Sequence, residues 1–264
     1  MMEWANVILQ GILVGGLYAL FATGLSLIFG VMRLVNIAHG DLIVLAAYVA
    51  LLCVTQTSIH PLLAIFLVAP VMAVAGYGLQ RILFNRTLGA DLLPPLLVSF
   101  GLSVIIQNVL LQIFTADSRK LSAGAIETAT VPIFNGLAVG VLPLLMFVAA
   151  VAIIAALQFM FYSLPIGRAL RATSDDPEVA RLMGYDNRHL FGVAMALSLA
   201  VVAVAGVFLA VRANFDPALG PSRLIYGFEA VIIGGLGNLW GTLAGGVILG
   251  VAQAIGAKID PGWQ

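Results

Sequence analysis

His39 and Asp41 stand two residues apart in the segment Asn36-Ile37-Ala38-His39-Gly40-Asp41. An imidazole beside a carboxylate is the smallest pair that can relay a proton or share general acid–base work. The same segment also suits a helix start, because Asn and Asp side chains accept from free backbone N–H groups. Farther along lie Ser99, Ser103, Gln107 and Asn108, and later Glu229. Each stands in or beside a long apolar run, where polar groups are costly and so mark functional candidates. Gln107 and Asn108 equally suit interhelical hydrogen bonds, and Glu229 is expected at the outer rim of its run, where a charge costs little.

Several chemistries are excluded. No G-x-x-x-x-G-K-[ST] loop is present, so the chain carries no phosphate loop for ATP. There is no G-x-S-x-G or H-E-x-x-H, and only His39, His60 and His189 supply imidazoles. Cys53 is alone, which rules out a disulfide framework or a cysteine-based metal site. No catalytic residue and no metal ligand is assigned. The formal net charge of zero removes the case for a nucleic-acid partner.

Charge is concentrated in Leu164–Leu190. Arg168, Arg171, Asp175, Asp176, Glu178, Arg181, Asp186 and Arg188 lie there, in a chain with only 12 basic and 12 acidic residues. Inside it, Asp176-Pro177-Glu178 and Gly184 predict a helix of about two turns, with Asp176 as the N-cap and Pro177 at the first helical position. Gly184 supplies the left-handed residue that ends it. Val179, Leu182 and Met183 fall on one apolar face, and Glu178 is spaced to pair with Arg181. Two readings stay open: a helix lying back on its own membrane domain, and a ridge that docks in a groove of a soluble partner.

The elements that hold these residues are membrane helices. Apolar residues make up 62% of the 264 and charged ones 9%, which places the chain among integral membrane proteins. Apolar runs lie near 7–31, 37–55, 62–80, 94–115, 137–161, 190–211 and 229–255. Barrel-type alternation is absent, so the fold class is all-α and polytopic, with about seven transmembrane helices in a single domain over residues 1–264. The first run has no basic segment before it and no cleavage site, and reads as a retained span. With residues 164–190 inside, inner loops hold Arg33, Arg81, Arg86, Arg168, Arg171, Arg181 and Arg188, and outer loops hold Arg119, Lys120, Arg212 and Arg223. The bias puts the N-terminus outside. Residues 36–41 fit either a tight turn or a helix broken at membrane depth. Gly237, Gly241 and Gly245 recur every four residues, predicting one helical face for close packing, a device repeated by Gly11 and Gly15.

Four blocks, taken in order, resemble the permease subunits of branched-chain amino acid ABC importers. They are Gly15-Gly16-Leu17-Tyr18-Ala19-Leu20 through Gly24–Val31 to Asn36–Gly40; Gly101-Leu102-Ser103 with Gln107-Asn108 and Asp117-Ser118-Arg119; Gly167-Arg168, Arg171-Ala172, Pro177-Glu178, Ala180 and Gly184-Tyr185; and Gly234–Gly237 with Gly241-Thr242. The resemblance implies a multi-pass inner-membrane protein that works with a second related permease, two ATPase subunits on the cytoplasmic face and a periplasmic binding protein. ATP and Mg would sit on the ATPase subunits, with no cofactor on this chain. It further implies that residues 164–190 are the coupling loop, with Arg168, Arg171, Pro177, Glu178, Ala180, Leu182 and Gly184 engaging an ATPase. Asn36, His39, Asp41, Gln107 and Asn108 are then the candidates near the translocation path. Urea, short amides or other amino acids are alternative cargoes, and a stand-alone secondary carrier is an alternative class. The family's chains usually carry one more apolar helix beyond the glycine-rich span, whereas this sequence stops at Gln264.

Overall fold

The computed structural model describes residues 2–260 except 90, 92, 135 and 136. Among the described residues, seven helices are long and apolar enough to cross a membrane. The chain begins with α1 (Met2–Met32) and α2 (His39–Thr57), then a 3-10 turn (Pro61–Ala64) that leads into α3 (Ile65–Ile82). After α4 (Leu93–Phe114) come a short α5 (Ala125–Thr128) and a two-stranded antiparallel hairpin, β1 (Thr130–Phe134) and β2 (Leu137–Gly140). The spans α6 (Val141–Ser163), α9 (Asn187–Arg212) and α11 (Leu239–Ile259) complete the set. Between them lie α7 (Pro165–Asp175), α8 (Pro177–Leu182) and α10 (Gly220–Gly234).

Burial sorts these helices. The spans of α1 and α9 are 78% and 72% buried within the chain, against 22% for those of α3 and α4. The first two are the centre, and the others turn apolar faces such as Phe66, Val74, Leu97 and Ile105 outward. Close approach depends on small residues, because apolar side chains gain little by leaving lipid for one another. Gly11 and Gly15 of α1 lie on the backbone of Gly250 and Gly246 of α11, so these two helices run antiparallel. Lys258 reaches Glu3 at 3.0 Å where they end. Gly76 meets α9 at Met195, while Gly192 of α9 meets Tyr77 of α3.

Two interruptions give the bundle its character. After Met32 the chain leaves the helix through Arg33 (φ 53°), and α2 starts only at His39. The His39 ring nitrogen Nε2 lies 2.9 Å from the carbonyl of Phe21. Phe21 is about 16 Å back along α1 from its Met32 end, so α2 starts deep inside the bundle. Of the two readings of residues 36–41, the broken helix is the one formed.

The second interruption corrects the expectation of a single span over 229–255. Gly235 (φ 90°) and Gly237 (φ 83°) adopt left-handed conformations, and Asn238 then caps α11 by accepting from the Gly241 N–H at 3.0 Å. The run is therefore two helices. Its first, α10, has 15 residues, about 22 Å, which is too short to cross the hydrocarbon core. Gly237 lies in the turn against Gly30 and does not share a helical face with Gly241 and Gly245. Those two pack on α10 at Gly234 and Ala230. The run near 137–161 is also trimmed, because its first four residues form β2.

On the side away from residues 164–190, the connection after α4 is tied to the end of α9. Arg119 and Phe215 exchange backbone hydrogen bonds of 2.8 and 2.9 Å, and the Leu121 N–H reaches Ala210. Glu127 holds the next turn, accepting from Lys120 Nζ at 2.7 Å and from the Ala123 N–H at 2.6 Å. The Lys120 hydrogen bond, then the Ala123 N–H, hold its carboxyl below the ordinary glutamate value. A carboxylate depressed in the folded state contributes its stability above the unfolded value and loses it as pH falls through the folded one. Hydrogen exchange at the Ala123 amide, corrected for its intrinsic pH dependence, is therefore expected to lose protection on acidification below the usual glutamate range. The Glu127→Gln protein should show little such pH dependence. Equal pH dependence in both proteins would contradict this lock.

Candidate functional site

The start of α2 collects most of the polar side chains singled out from the sequence. Asn36, His39 and Asp41 are at most 1% exposed. The Asn36 carbonyl oxygen Oδ1 accepts from the Ala38 N–H at 3.1 Å, and Ser99 Oγ of α4 accepts from the Ile37 N–H at 3.1 Å. Ser103 donates to Asp41 Oδ2 at 2.5 Å, and Gln107 Nε2 donates to Oδ1 at 2.9 Å. Ser99, Ser103 and Gln107 recur at four-residue intervals on α4, which is how one helix face serves a loop and a helix start together.

No basic side chain pairs with Asp41 among the described residues; helix ends surround it instead. It lies in the first turn of α2, and Gly220, the first residue of α10, packs against its carboxylate. Gly40 lies on the Gly220 carbonyl and the Leu224 nitrogen. The positive ends of two helices thus converge on one carboxylate. Buried Asn36 Nδ2 and His39 Nδ1 have no protein partner. The geometry provides no proton relay between His39 and Asp41: His39 faces α1 and Asp41 faces α4. Among the described residues no three His, Cys, Asp or Glu side chains come together as metal ligands would.

The charged segment is more structured than the sequence suggested. Amphipathic α7 lies before the expected helix, buries Gly167, Ala169, Leu170 and Thr173, and donates a 2.6 Å hydrogen bond from Ser174 to the Gly30 carbonyl. In α8, Asp176 Oδ1 accepts from the Glu178 and Val179 N–H groups at 2.9 and 3.0 Å. At the other end the Tyr185 N–H reaches the Ala180 carbonyl and the Gly184 N–H reaches Arg181, with Gly184 at φ 92°. These paired bonds are the glycine-dependent C-terminal lock. Val179, Leu182 and Met183 are 53%, 86% and 76% exposed. A rigid, capped ridge therefore presents three apolar side chains that the chain itself leaves uncovered.

The family model described as the branched-chain amino acid transport system permease component matches residues 7–260. The chain belongs to this family. It is 27% identical to the high-affinity branched-chain amino acid transport system permease protein BraD of Pseudomonas aeruginosa, over 97% of this chain and 87% of BraD. It is 28% identical to LivH of Escherichia coli K12, covering 93% and 83% of the two chains. It is also 26% identical to the fructose import permease protein FrcC of Rhizobium meliloti, over 98% and 72%. No solved structure matches. Membership makes the chain a permease subunit of ABC importer type and a multi-pass membrane protein, and implies ATPase and binding-protein partners.

In this permease the candidate residues fall into separate places. Asn36, His39, Asp41 and Gln107 meet at the α2–α4–α10 junction, while Asn108 is exposed on another face of α4 and bonds its own helix at Val104. Within the charged segment, Pro177, Glu178 and Leu182 are exposed, but the Ala180 side chain is buried. No ion pair joins Glu178 to Arg181 among the described residues. Arg168 is exposed, whereas Arg171 lies 4.5 Å over the Tyr162 ring beside a cavity of about 400 Å³. Glu229, expected at the outer rim, lies deeper, because Ala230 and Val231 pack on Ala22 and Leu25 of α1. Sequence reading also missed Tyr18, Gln253 and Tyr226. They cluster only because α1, α10 and α11 meet, and no spacing along the chain signals that.

Proposed function

We propose that this permease is one of two related membrane subunits through which an ATP-driven importer carries branched-chain amino acids across a bacterial inner membrane. The observation that carries the reading is α8. A helix locked at both ends and showing uncovered apolar residues on the water side is built to be gripped. The ATPase subunits, two in number, grip it from the cytoplasm, with Leu182 and Met183 in the contact and Arg168, Arg171, Pro177, Glu178, Ala180 and Gly184 shaping and flanking it. ATP and Mg belong to those partners, and this chain has no enzymatic role of its own. A periplasmic binding protein delivers the solute on the opposite side, where the N-terminus lies. Residues 1–264 act as one permease domain.

The mechanism is alternating access driven from outside the membrane domain. Movement of α8 passes to α7, which is tied to α1 through Ser174 and Gly30. Gly30 touches the Gly237 turn, and that turn joins α10 to α11. The buried junction of Asn36, His39, Asp41 and Gln107 anchors the other end of α10. Mild detergent purification of the tagged permease from its native membrane is expected to bring down an ATPase and a second permease. Reconstituted with the binding protein, that assembly should take up leucine only with ATP. A lone homo-oligomer, or uptake independent of ATP, would overturn the reading.

A further inference from the structure

Glu229 sits where a carboxylate is hard to explain by the chain alone. It is exposed on α10, and its neighbours Gly227, Ala230 and Val231 lie against Phe21, Ala22 and Leu25 of α1. Those residues are about 10–16 Å inside the Met32 end of α1, within the hydrocarbon core. Charged groups at such depth face a bundle interior or a water-filled path, not lipid. Ser222, Ile225, Glu229 and Ile232 of α10 alternate at three- and four-residue intervals, all exposed, which is one continuous helix face.

A cation stands on the flank of the same helix. Arg223 lies 5.6 Å over the Tyr226 ring, and Tyr226 lies 5.2 Å from the Tyr18 ring. The Tyr18 hydroxyl donates to Gln253 of α11, and the charges of Arg212, Arg223 and Glu229 all act on it. Arg223 Nε is buried without a hydrogen-bond partner, and no ion pair joins Arg223 to Glu229 among the described residues. A guanidinium about one turn before Tyr226 and a carboxylate about one turn after it thus flank that ring on one helix, neither satisfied by the other.

We propose that this face of α10 lines the translocation path and that the pair receives the charged ends of a zwitterionic α-amino acid: Arg223 takes the carboxylate and Glu229 the ammonium. The inference rests on the amino-acid reading above and deepens it. Both charges of a zwitterion must be compensated once its water is left behind. A neutral solute such as urea or a sugar requires no such pair. Tyr226 and Tyr18 supply an aromatic wall for the apolar side chain.

The test uses the complete importer, with its ATPases, second permease and binding protein, in proteoliposomes with radiolabelled L-leucine. Uptake per ATP hydrolysed is read for Glu229→Gln and Arg223→Gln. Each is expected to fall roughly tenfold or more with the assembly intact, and Glu229→Asp is expected to recover most of it. Unchanged uptake per ATP in both neutral variants would overturn the assignment. So would loss of assembly in Glu229→Gln, which would make the residue a subunit contact. A wild-type importer that assembles and hydrolyses ATP but moves no leucine would instead refute the amino-acid reading, and this inference with it.

Discussion

Gly40→Ala is expected to destabilise the permease by about 3 kcal/mol or more, the upper end of overpacking costs. The added Cβ collides with the Gly220 carbonyl and lies 2.8 Å from the Leu224 nitrogen, both backbone atoms that no rotamer change can move. Relief requires α2 and α10 to part, and parting them withdraws one of the two helix ends that compensate buried Asp41. The effect therefore exceeds that of one misplaced methyl group. Thermal unfolding in detergent, followed by size-exclusion fluorescence, reads it out. Gly101→Ala is the control, since nothing lies within 4 Å of a Cβ there, and it should leave the midpoint unchanged or slightly raised, as removing a mid-helix glycine does. Equal midpoints for the two variants would show that the α2–α10 contact is not a fixed point of the fold.

The sequence revealed features that depend on a few consecutive residues. Asp176, Pro177 and Gly184 specify α8 locally, and the structure forms that helix with the expected caps. The apolar runs marked the spans because length and apolarity suffice to define a bilayer crossing. Features that depend on depth or facing were not legible. The chain is apolar on both sides of Gly235 and Gly237, and it is their left-handed backbone that separates α10 from α11. Gln107 and Asn108 are adjacent and have similar chemistry, yet a helix turns about 100° between them, so only Gln107 reaches Asp41. Glu229 looked like a rim residue because its run was counted as one span; once α10 is a half-span, the same residue lies exposed at the depth of Phe21–Leu25 of α1. The amphipathic α7 went unnoticed beside the stronger capping signals of α8.

The buried junction also changes what Asp41 and His39 mean. A His-Asp pair two residues apart in a membrane protein suggests proton chemistry, but their partners point elsewhere, toward Phe21 on one side and Ser103 with Gln107 on the other. His39 ties the start of α2 to α1, and Asp41 ties it to α4 and α10. The turn Gly235–Asn238 and the α7–α8 arm lie at the opposite end of α10. Under the proposed mechanism, α10, fixed at one end and contacted at the other, would carry motion between the ATPase side and the path.

Leu182→Asp combined with Met183→Asp is expected to abolish ATP-driven uptake while leaving the permease folded. Both side chains are among the most exposed apolar groups in the chain, so their replacement should change stability by no more than about 0.5 kcal/mol. An apolar contact that must be desolvated inside a partner's groove, by contrast, cannot accept two carboxylates, and hot-spot losses of about 2 kcal/mol or more per residue are usual. Simultaneous measurement of leucine uptake and ATP hydrolysis in proteoliposomes, with the unfolding midpoint as a check, tests this most directly. The expected result is an unchanged midpoint, uptake near background, and ATP hydrolysis that no longer responds to the loaded binding protein. Normal uptake by the doubly substituted permease would contradict the assignment of α8 as the point where the ATPase takes hold.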